Sequence, residues 1–153
     1  MKIQNHRLHA EQDEQPIQIL SSPNQDGPIT PQYLVIHYSA GSSAASTVEW
    51  FMSPTANASA HLVIGLDGSI TLLVLFNKKA WHAGESRWNE LVGMNSYSIG
   101  IELDNPGKMQ YVGGRWISWF GREYPGTVIM EGIHKHQETP AGWHIFTENQ
   151  LAA

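Results

Sequence analysis

Four residues in apolar surroundings carry the reactive groups of this chain. They are His37 in Val-Ile-His37-Tyr-Ser-Ala-Gly41, His61 before Leu-Val-Ile64, His82 in Ala80-Trp-His82-Ala-Gly84, and Glu102 in Ser98-Ile-Gly-Ile-Glu102-Leu103. An imidazole can pass protons or hold a metal, and a carboxylate beside it can act as a general base. Taken singly, each has a plainer reading. A lone histidine in such a run is commonly a hydrogen-bonded core residue, and the glutamate could lie on the exposed face of a half-buried sheet. Three histidines, each at the end of an apolar or aromatic run, point instead to a shared polar pocket. His134 and His136 stand two apart, a spacing that on a strand aims both to one side and that a metal can use. The chain has no cysteine, which excludes disulfides, a thiol nucleophile and thiolate ligands.

These side chains need elements to hold them. Tyr33–Tyr38 reads as a strand ended by Ser-Ala-Gly41, with His37 on the same face as Tyr33 and Val35. Ser46-Thr-Val-Glu49 has a capping-box pattern that predicts a short helix through Phe51, closed off by Pro54. His61–Leu66 and Ser69–Leu75, joined by Asp67-Gly68, predict a hairpin. Ser98–Leu103 predicts another strand, in which Glu102 shares a face with Gly100. That glycine is expected to leave room for a ligand or a water beside the carboxylate. Residues 1–31 are polar and contain four prolines. They read as an extended lead-in with a short strand near Ile17–Leu20. Residues 104–146 are rich in glycine and aromatics and show no assignable period. Their turn signals are Asn105-Pro-Gly107, Gly113-Gly114 and Pro125-Gly126. Their aromatics either stack on a ligand or cover the sheet. Thr147-Glu-Asn-Gln150 is a second capping-box pattern.

With 153 residues the chain has the size of one domain, and with 15% charged residues it has no disorder signature. A net charge of −5 argues against nucleic acid or an anionic membrane surface as the main partner. The longest apolar stretch, near Ile70–Phe76, is far too short to span a bilayer. Met1-Lys-Ile-Gln-Asn-His-Arg7 has no apolar run behind it, so no signal peptide is expected.

Four strings in this order, Ile36–Gly41, Ser59–Ile64, Ala80–Gly84 and Asn95–Glu102, resemble the zinc-dependent N-acetylmuramoyl-L-alanine amidase family. That family includes phage lysozyme-type amidases and animal peptidoglycan recognition proteins. The resemblance runs from about Tyr33 to the C-terminus. It implies an α/β fold, a central mixed sheet flanked by helices, with a Zn2+ site in a groove on one face. By position it makes His37 a zinc ligand and Glu102 the catalytic base. Trp81 and His82 become substrate-binding groove residues, and His61 a supporting residue under the site. The implied partner is peptidoglycan or an anhydro-muropeptide, cut between the lactyl group of N-acetylmuramic acid and L-alanine. Zinc would polarise that carbonyl and bring the pKa of bound water to roughly 7. Glu102 would take the water's proton and pass it to the leaving amine, with its pKa raised toward neutrality by partial burial.

A catalytic zinc needs three protein ligands and an open position. In the family the second histidine, the acidic ligand and a basic oxyanion-stabilising residue come from a Gly-His…Pro-Gly-Arg-Lys…Asp-Pro-Gly type segment. It lies beyond the helix that starts near Thr147, and these 153 residues contain no such segment. His134, His136 and His144 fall before that helix, where family ligands do not lie. The expectation is therefore a lead-in over residues 1–31 and an amidase domain over 32–153 that is incomplete at its C-terminus. The capping box running straight into the terminus agrees with this, and a frayed polar tail is the alternative. A muropeptide-binding module that does not cut, and an unrelated α/β protein with a structural histidine face, are the competing functions. A cytoplasmic location is expected, with a phage-type or exported lytic enzyme as the alternative.

Overall fold

Bulky apolar runs at Tyr33–Tyr38, Leu62–Ile64 and Ser98–Leu103 lie side by side as the parallel heart of a five-stranded sheet. The structure, a computed structural model, describes residues 1–134 and 138–153. Its first strands are β1 (Lys2–Gln4), β2 (Arg7–His9), β3 (Gln18–Ile19), β4 (Gln25–Pro28) and β5 (Tyr33–Tyr38). After helix α1 (Ala44–Met52) come β6 (Leu62–Ile64), β7 (Ile70–Leu72), β8 (Lys78–Ala80), β9 (Arg87–Trp88), β10 (Leu91–Val92) and β11 (Ser98–Leu103). The remainder holds β12 (Lys108–Val112), β13 (Arg115–Ser118), β14 (Glu123–Tyr124), β15 (Ile129–Gly132), β16 (Ala141–His144) and helix α2 (Glu148–Ala152). The central sheet has the order β3-β7-β6-β11-β5, antiparallel only between β6 and β7. This is the mixed α/β architecture expected from the sequence.

Strand alternation gives the sheet two different faces. On one, Val63, Leu73, Val74, Ala60 and Ala80 pack with Phe51 of α1. On the other, Leu62, Ile64, Ile70, Leu72 and Leu103 cluster with Ile101 and Leu8. The Asp67-Gly68 hairpin forms as expected, with Gly68 at φ +82 and its N–H donating to Gly65 O. α2 docks on this turn. Thr147 Oγ1 donates to Leu66 O at 2.6 Å and the buried Gln150 donates from Nε2 to Asp104 O at 2.7 Å.

Two expectations need correction. α1 begins at Ala44, not near Ser46. Ser43 is extended at φ −171, its side chain accepts from Ser46 N–H, and Ser46 Oγ accepts from Ser43 N–H. Ser46 thus fills the place that Glu49 was expected to hold in a later box. Residues 1–31 are not a mere lead-in. β1 and β2 form a hairpin, β3 joins the sheet beside β7, and β4 pairs with β8. The hairpin turn is Asn5-His6, both at positive φ, so it lacks the glycine that usually advertises such a turn. Residues 104–146 show no assignable period in the sequence, yet strands form among them. They build a second sheet, antiparallel throughout, in the order β14-β13-β12-β16-β15. Gly113 and Gly114, both at positive φ, turn β12 into β13.

Candidate active site

Parallel pairing of β5 with β11 puts His37 opposite Glu102 and Val35 opposite Gly100. Neighbouring strands lie about 4.8 Å apart, so the imidazole and the carboxylate stand side by side on the face that α1 covers. His61, one residue ahead of β6, donates its backbone N–H to Gly100 O and joins them from the other side of β11. His82 comes from the loop after β8. The rings of His37 and His82 have centroids 5.2 Å apart, and those of His61 and His82 5.9 Å. The three histidines therefore form one cluster.

Hydrogen bonds fix the protons in this cluster. His61 Nδ1 accepts from Gly100 N–H at 3.0 Å, so its hydrogen sits on Nε2 and goes to Lys78 O at 2.9 Å. Ser98 Oγ donates to Met94 O at 2.6 Å, because a carbonyl can only accept. The same oxygen must then accept from His82 Nε2 at 3.2 Å, with Ser98 O a further acceptor at 3.4 Å. His82 Nδ1 is left bare and accepts from His37 Nε2–H at 3.0 Å. His37 is held in the Nε2–H tautomer, which leaves the lone pair of Nδ1 open. Burial depresses the pKa of all three. His82, with two imidazoles beside it, falls to about 4, so the cluster is neutral near pH 7.

Glu102 behaves in the opposite sense. Burial raises its pKa to about 7, and its Oε2 is buried without a hydrogen-bond partner. It lines a pocket of about 440 Å³ with Ser39, Thr47, Phe51, Trp50 and Trp119. A carboxylate near half-ionisation at neutral pH, open to a pocket of ligand size, can exchange protons with a bound molecule.

The sequence-predicted residues divide accordingly. His37, His61, His82 and Glu102 come together. Trp81 is engaged elsewhere: its indole N–H donates to Asp26 Oδ2 at 3.0 Å, and Asp26 also pairs with Lys79. Gly100 does not leave space for a ligand or water, because the His82 ring lies where its Cβ would be. Neither His134 nor His144 belongs to the cluster. His144 ends β16 against Tyr124, and His134, past the end of β15, lies against Trp143. His136 lies outside the described residues. Among the described residues no three His, Asp or Glu side chains converge on a point that could hold a metal. His37 Nδ1 is one open donor where a catalytic zinc needs three protein ligands, so the described residues do not by themselves fit a zinc site. Sequence reasoning missed Asn95, whose Oδ1 accepts from both His82 and Ala83 N–H and so places the His82 loop. It also missed Ser98 as the acceptor that sets the tautomers. Both lie inside the Asn95–Glu102 string, but their partners are set only by the fold. No helix among the described residues is long and apolar enough to cross a membrane.

Comparisons with known proteins bear on the family and the fold. Residues 26–153 match the family model described as N-acetylmuramoyl-L-alanine amidase. The 1,6-anhydro-N-acetylmuramyl-L-alanine amidase AmpD of Escherichia coli K12 is 41% identical over 58 residues, which are 38% of this chain and 32% of that protein. N-acetylmuramoyl-L-alanine amidase AmiD of the same organism is 33% identical over 125 residues, 78% of this chain and 43% of that protein. The matches thus span about a third to less than half of these curated relatives. A crystal structure of an AmpD derivative superposes with a TM-score of 0.55 at 30% identity, covering 68% of this chain and 66% of that one. AmiD from E. coli in complex with anhydro-N-acetylmuramic acid-L-Ala-D-γ-Glu-L-Lys gives 0.53 at 25% identity, covering 86% and 40%. With a family match over residues 26–153, this chain belongs to the N-acetylmuramoyl-L-alanine amidase family.

Proposed function

We propose that this chain carries the proton-transfer half of an amidase that hydrolyses the bond between N-acetylmuramic acid and L-alanine in a muropeptide. The observation that supports this most is Glu102. It has an orphaned buried oxygen and a pKa near 7, it lies opposite His37 on the neighbouring strand, and it lines an open pocket in a chain of this family. Ionised Glu102 would accept a proton from water as the water oxygen attacks the lactyl carbonyl carbon. It would then return the proton to the amide nitrogen as the C–N bond breaks, so that the carboxylate is regenerated. His61 would support the site from beneath β11, and His82 would orient His37. Trp81, tied to Asp26, would contribute to the groove as a fixed wall. His37 Nδ1 is the atom this chain would offer to the zinc of the family. The described residues offer no complete set, and no step here runs through the metal.

The test is release of L-Ala-D-γ-Glu-L-Lys from an anhydro-N-acetylmuramoyl tripeptide in excess zinc, followed by chromatography. Glu102→Gln is expected to lower the rate by about 10²–10⁴-fold. Undiminished release by that variant would sink the proposal. Dialysed against a trace of zinc, the 153-residue chain is expected to retain well under one zinc. One tightly held zinc per chain would show that His37 finds partners within these residues. The lack of a three-ligand group among the described residues favours a second reading, a module that holds muropeptide without cutting it. The same assay separates the two, since that module would retain the tripeptide substrate and release nothing.

A further inference from the structure

The turn between β13 and β14 reaches across to the active-site loop. Trp119 donates its indole N–H to Ala40 O at 2.7 Å, and Arg122 donates from Nη1 to Ser42 O at 3.3 Å. Ala40 and Ser42 follow directly on the strand that carries His37. The turn is also braced internally. Phe120 packs edge-on against Trp119 at 5.3 Å, the Arg122 guanidinium lies over the Phe120 ring, and Gly121 N–H donates to Ser118 O. A tryptophan fixed this firmly is nonetheless 67% exposed, and Trp50 of α1 is 54% exposed. Neither ring is spent on covering a core. Both line the pocket that has Glu102 in its wall.

We propose that Trp50 and Trp119 are the two aromatic walls of a pyranose subsite that seats the N-acetylated sugar ring of the substrate beside Glu102. This rests on the amidase reading above and adds which part of the substrate the pocket takes. The apolar C–H face of a pyranose carries slight positive charge and meets the negative face of an indole favourably. A volume of about 440 Å³ is within the range of small-molecule pockets. Ser39 Oγ accepts from Gly41 and Asn105 N–H, so its own hydrogen is what it can offer to a ring oxygen or an acetamide carbonyl. Charge selects the sugar over the stem peptide. Among the described residues no Lys or Arg lines the pocket, the Arg122 guanidinium being engaged by Ser42 O and the Phe120 ring, and the carboxylates of a stem peptide would face that of Glu102. The lactyl group is joined to the sugar ring through one ether oxygen, so a sugar held here brings its amide within reach of the base.

Titration of the 15N-labelled chain with N-acetylmuramoyl-L-alanine, read at the tryptophan indole N–H signals, tests this. Trp50 and Trp119 signals are expected to shift. Trp119→Ala and Trp50→Ala should each weaken binding about tenfold. Trp119→Phe keeps an aromatic face without the Ala40 hydrogen bond and should stay within about threefold of the parent. Trp88→Ala, at an exposed tryptophan outside the pocket, should change nothing. Parent-like affinity in both alanine variants, or shifts confined to other tryptophans, overturns the proposal while leaving the amidase reading intact. Methyl N-acetylglucosaminide supplies the second arm. If it shifts Trp50 and Trp119 while the muramoyl amide does not bind, the sugar subsite stands and the amidase reading falls. If neither sugar binds, the subsite is overturned, and tripeptide release judges the amidase reading by itself.

Discussion

Burial of Glu102 links the chemistry of the site to the stability of the fold. Its folded-state pKa of about 7 lies above its ordinary value of 4.5, so the folded chain holds this proton more tightly than the unfolded chain does. The group therefore favours folding at low pH. That favour is lost as pH rises from about 4.5 to about 7, and the penalty is constant above. Because the group is partly open to water, the full penalty is about 1–3 kcal/mol. Glu102→Gln removes it. The melting temperature of the variant minus that of the parent is expected to grow between pH 4.5 and 7 and then level off, and a pH-independent difference would contradict the burial argument. The His37 tautomer gives a second prediction. Ring 15N shifts should show a protonated Nε2 and a bare Nδ1 in the parent. His82→Phe removes the acceptor and should let both tautomers populate, whereas His82→Gln offers an amide oxygen and should restore the lock. An unchanged tautomer in folded His82→Phe would show that His82 does not set it. Alternation gave the faces of His37 and Glu102 within their own strands, but their adjacency needed the parallel pairing of β5 with β11, which only the fold supplies. The seating of His82 over Gly100 was not legible either, since it depends on a loop that Asn95 places from 13 residues away.

His61 acts between elements. It is fully buried, and its two ring nitrogens bridge β11 at Gly100 N–H to β8 at Lys78 O. His61→Leu would fill the space but strand one buried donor and one buried acceptor, at a cost of about 2–5 kcal/mol. Denaturant unfolding should show that loss as a lower midpoint, and a midpoint within a few tenths of a kcal/mol of the parent would refute the bridging role. The elements that could be read from sequence had local causes. β5 is rich in bulky apolar residues, β11 alternates Ile99, Ile101 and Leu103 with small or polar residues, the β6–β7 hairpin has Asp67-Gly68, and α2 has a side-chain cap at Thr147 with Gln150. Those that could not be read lack such causes. β12 buries only Met109 of its five residues, so it shows no alternation. Its neighbour β16 contains Gly142, whose missing side chain makes room for the Trp116 ring of β13. That fit is tertiary, and no local pattern reports it. α1 was displaced by a turn because two serines can build a capping box as well as a serine and a glutamate.

At the scale of the molecule, the two sheets are held by different means. Among the described residues, the buried apolar side chains run from Phe51 to Leu103, with Met109 the single one on the second sheet. The second sheet is therefore kept in place chiefly by hydrogen bonds, among them Asn105 Nδ2 to His144 O, His144 N–H to Gly107 O, and the Trp119 and Arg122 contacts to the loop after β5. Each such bond adds only about 0.5–1.5 kcal/mol net, whereas each buried Leu, Ile or Val adds about 1.5–3. The second sheet should consequently open on its own while the central sheet stays closed. Native-state hydrogen exchange is expected to show the amides of Tyr111 and Ile117 exchanging at least about 100-fold faster than those of Leu62 and Ile101, a gap of about 3 kcal/mol. Equal protection in both sheets would mean that they unfold as one unit. This asymmetry bears on the pocket, because Glu102 sits on the stable sheet and Trp119 on the labile one. A ligand gripped between them should slow exchange in β12 and β13 and leave β6 and β11 unchanged, which makes the second sheet a wall that the bound sugar itself closes.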